Sequence, residues 1–190
     1  MDVWTMGNLI NRSARGTPML DNFKGLIANQ FEAALCTLNI CIDRCPETAW
    51  DAPVGNWPFC QVAFHALFFT DYYLGLNEES LRGQPFHRDN ERFFDDYEQL
   101  EDRNPVSRYD KASIRKYMEH CRKKASQAIA AETADSLSAK AGFDGREFSR
   151  AELHVYNIRH IQHHAAQMSL RLRVDAQQEI PWIGSGWRDA

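Results

Sequence analysis

Apolar residues recur at spacings of three and four over four long stretches of the chain, and no stretch shows strong alternation. From Leu20, the positions Phe23, Ile27, Phe31, Ala34, Leu35, Leu38 and Ile42 form one stripe that Pro46 interrupts, which predicts a first helix over about 20–44. Ala34 is the small member of that stripe, where a neighbouring helix can approach closely. Pro53, Gly55 and Pro58 punctuate the connection that follows. A second helix is expected over about 58–74, with Pro58 in its first turn, an apolar stripe of Phe59, Val62, Ala66, Phe69 and Tyr73, and Gly75 as its stop.

Residues 76–110 break the pattern. Gly83, Pro85 and Pro105 interrupt them and charge is dense from Arg88 to Arg103, so only a short helix around 91–100 is expected. The segment is too long for an ordinary turn, and part of it is expected to cover a pocket. A third helix starts near Asp110, with Ile114, Met118, Cys121, Ala125, Ala128 and Ile129 on its inner face and Gly142 and Gly145 at its end. Ser149 with Glu152 gives a capping-box signal for a fourth helix reaching about Val174, with Leu153, Ile158, Ile161, Met168 and Leu172 inside. The expected fold class is therefore all-α: a four-helix bundle with a long crossover between helices two and three. It forms one domain over 1–190, with an irregular C-terminal tail from about 175 carrying Trp182 and Trp187.

Composition narrows the function classes. The formal charge of -4 argues against a nucleic-acid partner held by bulk electrostatics. The amino end has neither the basic nor the apolar region of an export signal, and no uninterrupted apolar run approaches a membrane span, so a cytoplasmic protein without a membrane partner is expected. Five cysteines, Cys36, Cys41, Cys45, Cys60 and Cys121, sit in helical segments without metal-knuckle spacing and read as structural thiols. Aromatic residues are plentiful, with 11 Phe, 6 Tyr and 5 Trp, and need a core, a pocket or an interface. Trp50 and Trp57 are expected to anchor the first connection, a pocket wall being the alternative, and Trp182 and Trp187 to fold back on the bundle rather than pack in a dimer.

Three of the seven histidines, His160, His163 and His164, crowd the fourth helix. At about 100° per residue, His164 lies about 60° from Ile161 and His160 about 100° from it on the same side, whereas His163 points away. The i,i+4 pair can reach one metal ion, and His65 lies on a matching shoulder of helix two, about 60° off its stripe. Buried histidines also serve as plain hydrogen-bond donors, so spacing alone leaves both readings open. Asn157 and Gln167 fall within about 20° of His164 and His160 on the wheel and are candidates to orient those rings. Phe68, Phe69 and Tyr72 are candidates for the wall of a dry pocket, and Asp71 is expected to be solvated or Arg-paired. Arg159, Arg171 and Arg173 read as a solvated helix face.

A single histidine in helix two followed by His160-Ile161-Gln162-His163-His164-Ala165-Ala166-Gln167 in helix four resembles the DinB-like (DinB/YfiT) superfamily of metal-binding four-helix bundles, whose signature runs His-x-x-His-His-Arg-Gly-Gln. The resemblance spans about residues 20–175 and departs at Ala165-Ala166, where the family often has Arg-Gly. It implies a divalent metal, zinc or nickel foremost, held by His65, His160 and His164, and a homodimer. It also implies chemistry on a small-molecule substrate: a thiol-dependent S-transferase using a low-molecular-weight thiol, with a metal-dependent hydrolase or a non-enzymatic metal-binding or interaction bundle as alternatives. The sulfur-transfer branch would require Glu where this chain has Ala166.

Overall fold

A computed structural model describes residues 18–188. Four long helices carry the core: α1 (Pro18–Arg44), α2 (Phe59–Leu74), α6 (Lys111–Ala131) and α8 (Arg150–Ala176). Between α2 and α6 lie three single-turn helices, α3 (Glu79–Arg82), α4 (Pro85–Arg88) and α5 (Glu91–Phe94), and a 3₁₀ segment over Asp95–Leu100. The short α7 (Ala134–Ser138) precedes α8. Helix α1 packs chiefly on α6 and α8, and α2 on the same two, so α1 and α2 occupy opposite corners. The diagonal pair α1 and α2 is joined by residues 45–58, whereas the 36 residues between α2 and α6 connect two helices that pack on each other.

The stripes read from the sequence are the faces that meet. Phe31, Leu35 and Leu38 from α1, Phe59, Val62 and Ala66 from α2, Ile114, Met118 and Cys121 from α6, and Leu153, Ile161 and Met168 from α8 join one continuous buried cluster. Helix α1 is long and apolar enough in composition to cross a membrane, but most of that stretch is buried against its neighbours. The N-terminus of α8 is capped as expected, Ser149 Oγ accepting the Glu152 amide at 3.2 Å.

Several boundaries differ from the sequence reading. Pro58 precedes α2 rather than opening it, because Trp57–Pro58 form a two-residue strand (β2) paired antiparallel with Pro53–Val54 (β1) around Gly55, whose φ is +66°. The third long helix stops at Ala131, ahead of the two glycines, since Thr133 and Ser136 make a reciprocal cap that starts α7. Gly142 does a different job: a Cβ there would collide with the Leu76 carbonyl oxygen. Beyond Ala176 the chain is irregular, with Gln177 left-handed. Ile183 packs on Ala33, Cys36 and Ile40, and Trp187 lies under the Arg122 guanidinium at 3.8 Å. Trp187 thus folds back, while Trp182 is 80% exposed.

Candidate metal centre

Helix α2 is buried on nearly every side, because α6 and α8 cover one half of it and the α2–α6 connection covers the rest. His65 sits on the half-buried flank facing α8, where His160 and His164 are stacked one turn apart. The three imidazoles converge through the same atom. His160 Nε2 is 3.3 Å from His65 Nε2 and 3.2 Å from His164 Nε2, and one nitrogen from each ring falls within 4.8 Å of the others. His163, one residue away, is exposed.

Hydrogen bonds fix which nitrogen carries the proton. His65 Nδ1–H donates to Gln99 Oε1 at 2.7 Å, and His164 Nδ1–H donates to Gln167 Oε1 at 3.0 Å. Gln167 Nε2 in turn donates to His163 Nε2 at 3.1 Å, so one carboxamide holds both neighbouring rings. The Nε2 lone pairs of His65 and His164 are left facing the centre. The buried Nδ1 of His160 has no partner.

Electrostatics keep these rings neutral. Burial, together with the other two imidazoles, pulls His160 down to about 3; burial and His65 pull His164 down to about 4. Burial also lowers His65, against the Gln99 hydrogen bond. Three neutral imidazoles aiming lone pairs at one point are a donor set for a borderline divalent cation. Two of the three separations agree: tetrahedral Zn–N bonds of about 2.0–2.1 Å put two nitrogens ~3.3 Å apart, as His160 Nε2 stands from the other two.

Phe69 closes the apolar side of the centre, its ring 4.8 Å from His65 and 5.6 Å from His160. Phe68 and Tyr72, expected beside it, stand behind Phe69 instead and do not line the adjoining pocket. That pocket, about 510 Å³, opens from His65 and His164 between the β1–β2 turn and the α2–α6 connection. Trp57, Val62 and Pro105 give it an apolar side, and Gln61, Gln99, Glu98, Glu101 and Arg103 a polar one. Trp57 is therefore a pocket residue, whereas Trp50 is the anchor, buried with its indole N–H on the Tyr109 carbonyl at 2.7 Å.

Of the candidate ring-orienting residues, Gln167 holds a ring, but that of His164. Asn157 does not: its amide donates to the Thr70 carbonyl at 3.0 Å and ties α8 to α2. Gln99 escaped the sequence reading because it lies in an irregular segment with no periodicity to follow. It is delivered by a turn in which Asp95, Asp96 and Tyr97 all have positive φ. Phe94, His87 and Tyr97 stack there, with the Tyr97 O–H on His87 Nδ1 at 3.1 Å.

Asp71 corrects an expectation. It is fully buried, neither solvated nor paired with arginine. His87 Nε2 (2.6 Å), the Tyr117 hydroxyl (2.9 Å) and Lys124 Nζ donate to it, and so does Gln84 Nε2, at 3.0 and 3.1 Å. These donors, with His120 at 3.4 Å and the Lys124 charge, hold its carboxyl well below the usual range despite burial. The reason is that α6 and, through α4, the connection pack against the side of α2 that an isolated wheel assigns to solvent. A second buried set, Glu132 with Arg150 and His154 at 2.9 Å each, was equally silent in the sequence. Arg150 also donates to the carbonyls of Tyr73, Leu74 and Gly75, closing the end of α2.

No curated protein and no solved structure matches the chain. The sequence pattern of the DinB superfamily does, over residues 30–168, a segment containing all three converging histidines. The chain belongs to the DinB superfamily.

Proposed function

We propose that the chain is one four-helix-bundle domain that binds a divalent metal ion, zinc or nickel, through Nε2 of His65, His160 and His164, and that it is a thiol-dependent S-transferase. The observation that carries the metal reading is the meeting of three Nε2 atoms beside a pocket that His65 and His164 line. When bound, the cation supplies Lewis acidity that holds a thiol as thiolate near neutral pH. The protein's own contribution is positional. Gln99 and Gln167 accept the Nδ1 protons and fix two rings, Phe69 keeps water from one side, and the pocket seats the organic part of the substrate. In an S-transfer the thiol gives up its proton, its sulfur bonds to an electrophilic carbon, and that carbon's leaving group departs with the electron pair. A pocket of this size beside the histidines supports an enzyme over a protein that only sequesters metal.

The five free, buried cysteines support a reducing, cytoplasmic setting. A homodimer belongs to the same reading through the family resemblance. The test begins with metal analysis of untagged protein, where His164→Ala is expected to lose stoichiometric metal; metal content unchanged by that substitution would sink the site. A panel of thiols with electrophiles, and of esters and amides, run on metal-loaded protein then separates transferase, hydrolase and non-enzymatic binder. The transferase outcome is conjugation that disappears in the His164→Ala variant.

A further inference from the structure

Two hydrogen-bonded contacts with α2, on different faces of that helix, flank the same short stretch of the connection. On one face, His87 Nε2–H donates to Asp71 Oδ2 at 2.6 Å, which leaves the His87 Nδ1 lone pair to accept the Tyr97 hydroxyl at 3.1 Å. On the other, two residues after Tyr97, Gln99 Oε1 takes the His65 Nδ1 proton at 2.7 Å.

The backbone leading into Gln99 does not hold its own shape. Asp95, Asp96 and Tyr97 have φ of +36°, +58° and +63°, a left-handed run that costs each non-glycine residue free energy. Side chains must therefore keep it closed. The Tyr97 ring stacks on Phe94 and His87 beneath the Arg82 guanidinium, 4.4 Å away, and its hydroxyl ties the turn to His87. The Asp95 carboxylate also accepts Ser107 Oγ at 2.8 Å, but at the exposed surface. A second buried anchor lies beyond the strained residues. Glu98 accepts the amides of Val106 and Ser107, and Gln61 of α2 holds that stretch through the Pro105 and Ser107 carbonyls. The left-handed residues lie on the Tyr97 side of Gln99, so freeing Tyr97 is what lets them relax.

We propose that Tyr97 is a positioning residue for the three-histidine centre: backed by His87 and Asp71, its hydroxyl keeps this turn closed and so keeps Gln99 on the His65 ring. The inference rests on the reading of His65 as a metal ligand, and deepens it by carrying that ligand's support through the connection to Asp71.

The test is Tyr97→Phe, which removes the hydroxyl and leaves the ring to Phe94 and Arg82. Histidine-selective nitrogen NMR on metal-free protein, at mildly alkaline pH, reads the His65 tautomer directly. The wild-type ring should be the Nδ1–H form. In Tyr97→Phe, as in Gln99→Ala, the Nε2–H form that would donate to His160 Nε2 should grow. Circular dichroism checks the fold, and lowered stability alone does not move this signature in folded protein. Should Tyr97→Phe not fold, Arg82→Ala, at an exposed position over the same ring, carries the same test. A His65 signature identical to wild type overturns the inference and leaves the metal reading standing.

Zinc affinity, measured by competition with a chromophoric chelator, should fall about two- to fivefold in Tyr97→Phe, the upper figure being about what one net hydrogen bond supplies. In a Gln99→Ala background the same substitution should leave affinity nearly unchanged, because the contact it supports is already gone. An equal fall in both backgrounds overturns the inference, since Tyr97 would then act without Gln99. So does undiminished affinity in Tyr97→Phe where His164→Ala abolishes zinc binding. If zinc instead survives His164→Ala, the metal reading falls, and a shifted His65 signature still retains Tyr97 as the residue that positions the His65 ring.

Discussion

Single side chains decide how well the three imidazoles are held. Gln99 and Gln167 each accept an Nδ1 proton, so each fixes a tautomer as well as a ring angle. Losing such a partner typically costs 10–100-fold in metal affinity. Gln99→Ala and Gln167→Ala are expected to fall within about that range in a competition titration with a chromophoric chelator. His163→Ala should leave affinity nearly unchanged, since that ring is exposed and touches the centre only from outside, through Gln167 and the outer side of the His164 ring. The histidine triad was legible in the sequence because helical periodicity is a rigid ruler: positions 160 and 164 must share a side of α8. Gln99 obeys no ruler. It reaches His65 through three consecutive left-handed residues, a path that composition does not encode.

At the level of elements, α2 has two working faces. One presents His65; the other presents Asp71, six residues later, to α4 and α6. The sequence reading left Asp71 solvated or Arg-paired because a wheel for one helix knows nothing of what its neighbours and a long connection will cover. Removing the carboxylate strands Lys124 and the donors of His87 and Tyr117 in a buried site. Asp71→Ala is therefore expected to cost about 3–5 kcal/mol in urea denaturation. A value below about 1 kcal/mol would mean that the network does not fasten the connection to α2. Helix existence, the inner faces and the α8 cap were readable from periodicity and Ser149. The end of α6 was not, because the reciprocal cap of Thr133 and Ser136 is a short polar signal that two later glycines outweighed.

For the whole molecule, acidity and metal are the natural levers. Burial lowers His65, His87, His154, His160 and His164 from 6.5, so the folded chain takes up protons on them less readily than the unfolded chain. Stability is then greatest above 6.5 and falls as pH drops through that value. The fall continues below the ordinary carboxylate range as Asp71 and Glu132, both depressed, become protonated. Metal-free protein should show a declining urea midpoint from pH 7 to pH 5; a flat profile would contradict the neutral, buried state of these rings. Metal adds stability by mass action, about 2.7 kcal/mol when free metal is 100 times the dissociation constant. Chelation should accordingly lower the melting temperature of the loaded protein and leave that of the His164→Ala variant unmoved.

The five cysteines, all buried, give the molecule one more property. Burial raises the Cys41 thiol to about 12 and the Cys45 thiol to about 11, and pushes Cys60 and Cys121 up as well. A protein that handles reactive sulfur and electrophiles would damage itself if its own sulfurs took part. Cys41, Cys45, Cys60 and Cys121 stay protonated and all five are out of reach, so mixed disulfides and alkylated by-products should not accumulate while the fold is closed. The same sulfurs become a built-in timer: an alkylating reagent added to the native protein labels a molecule when it opens.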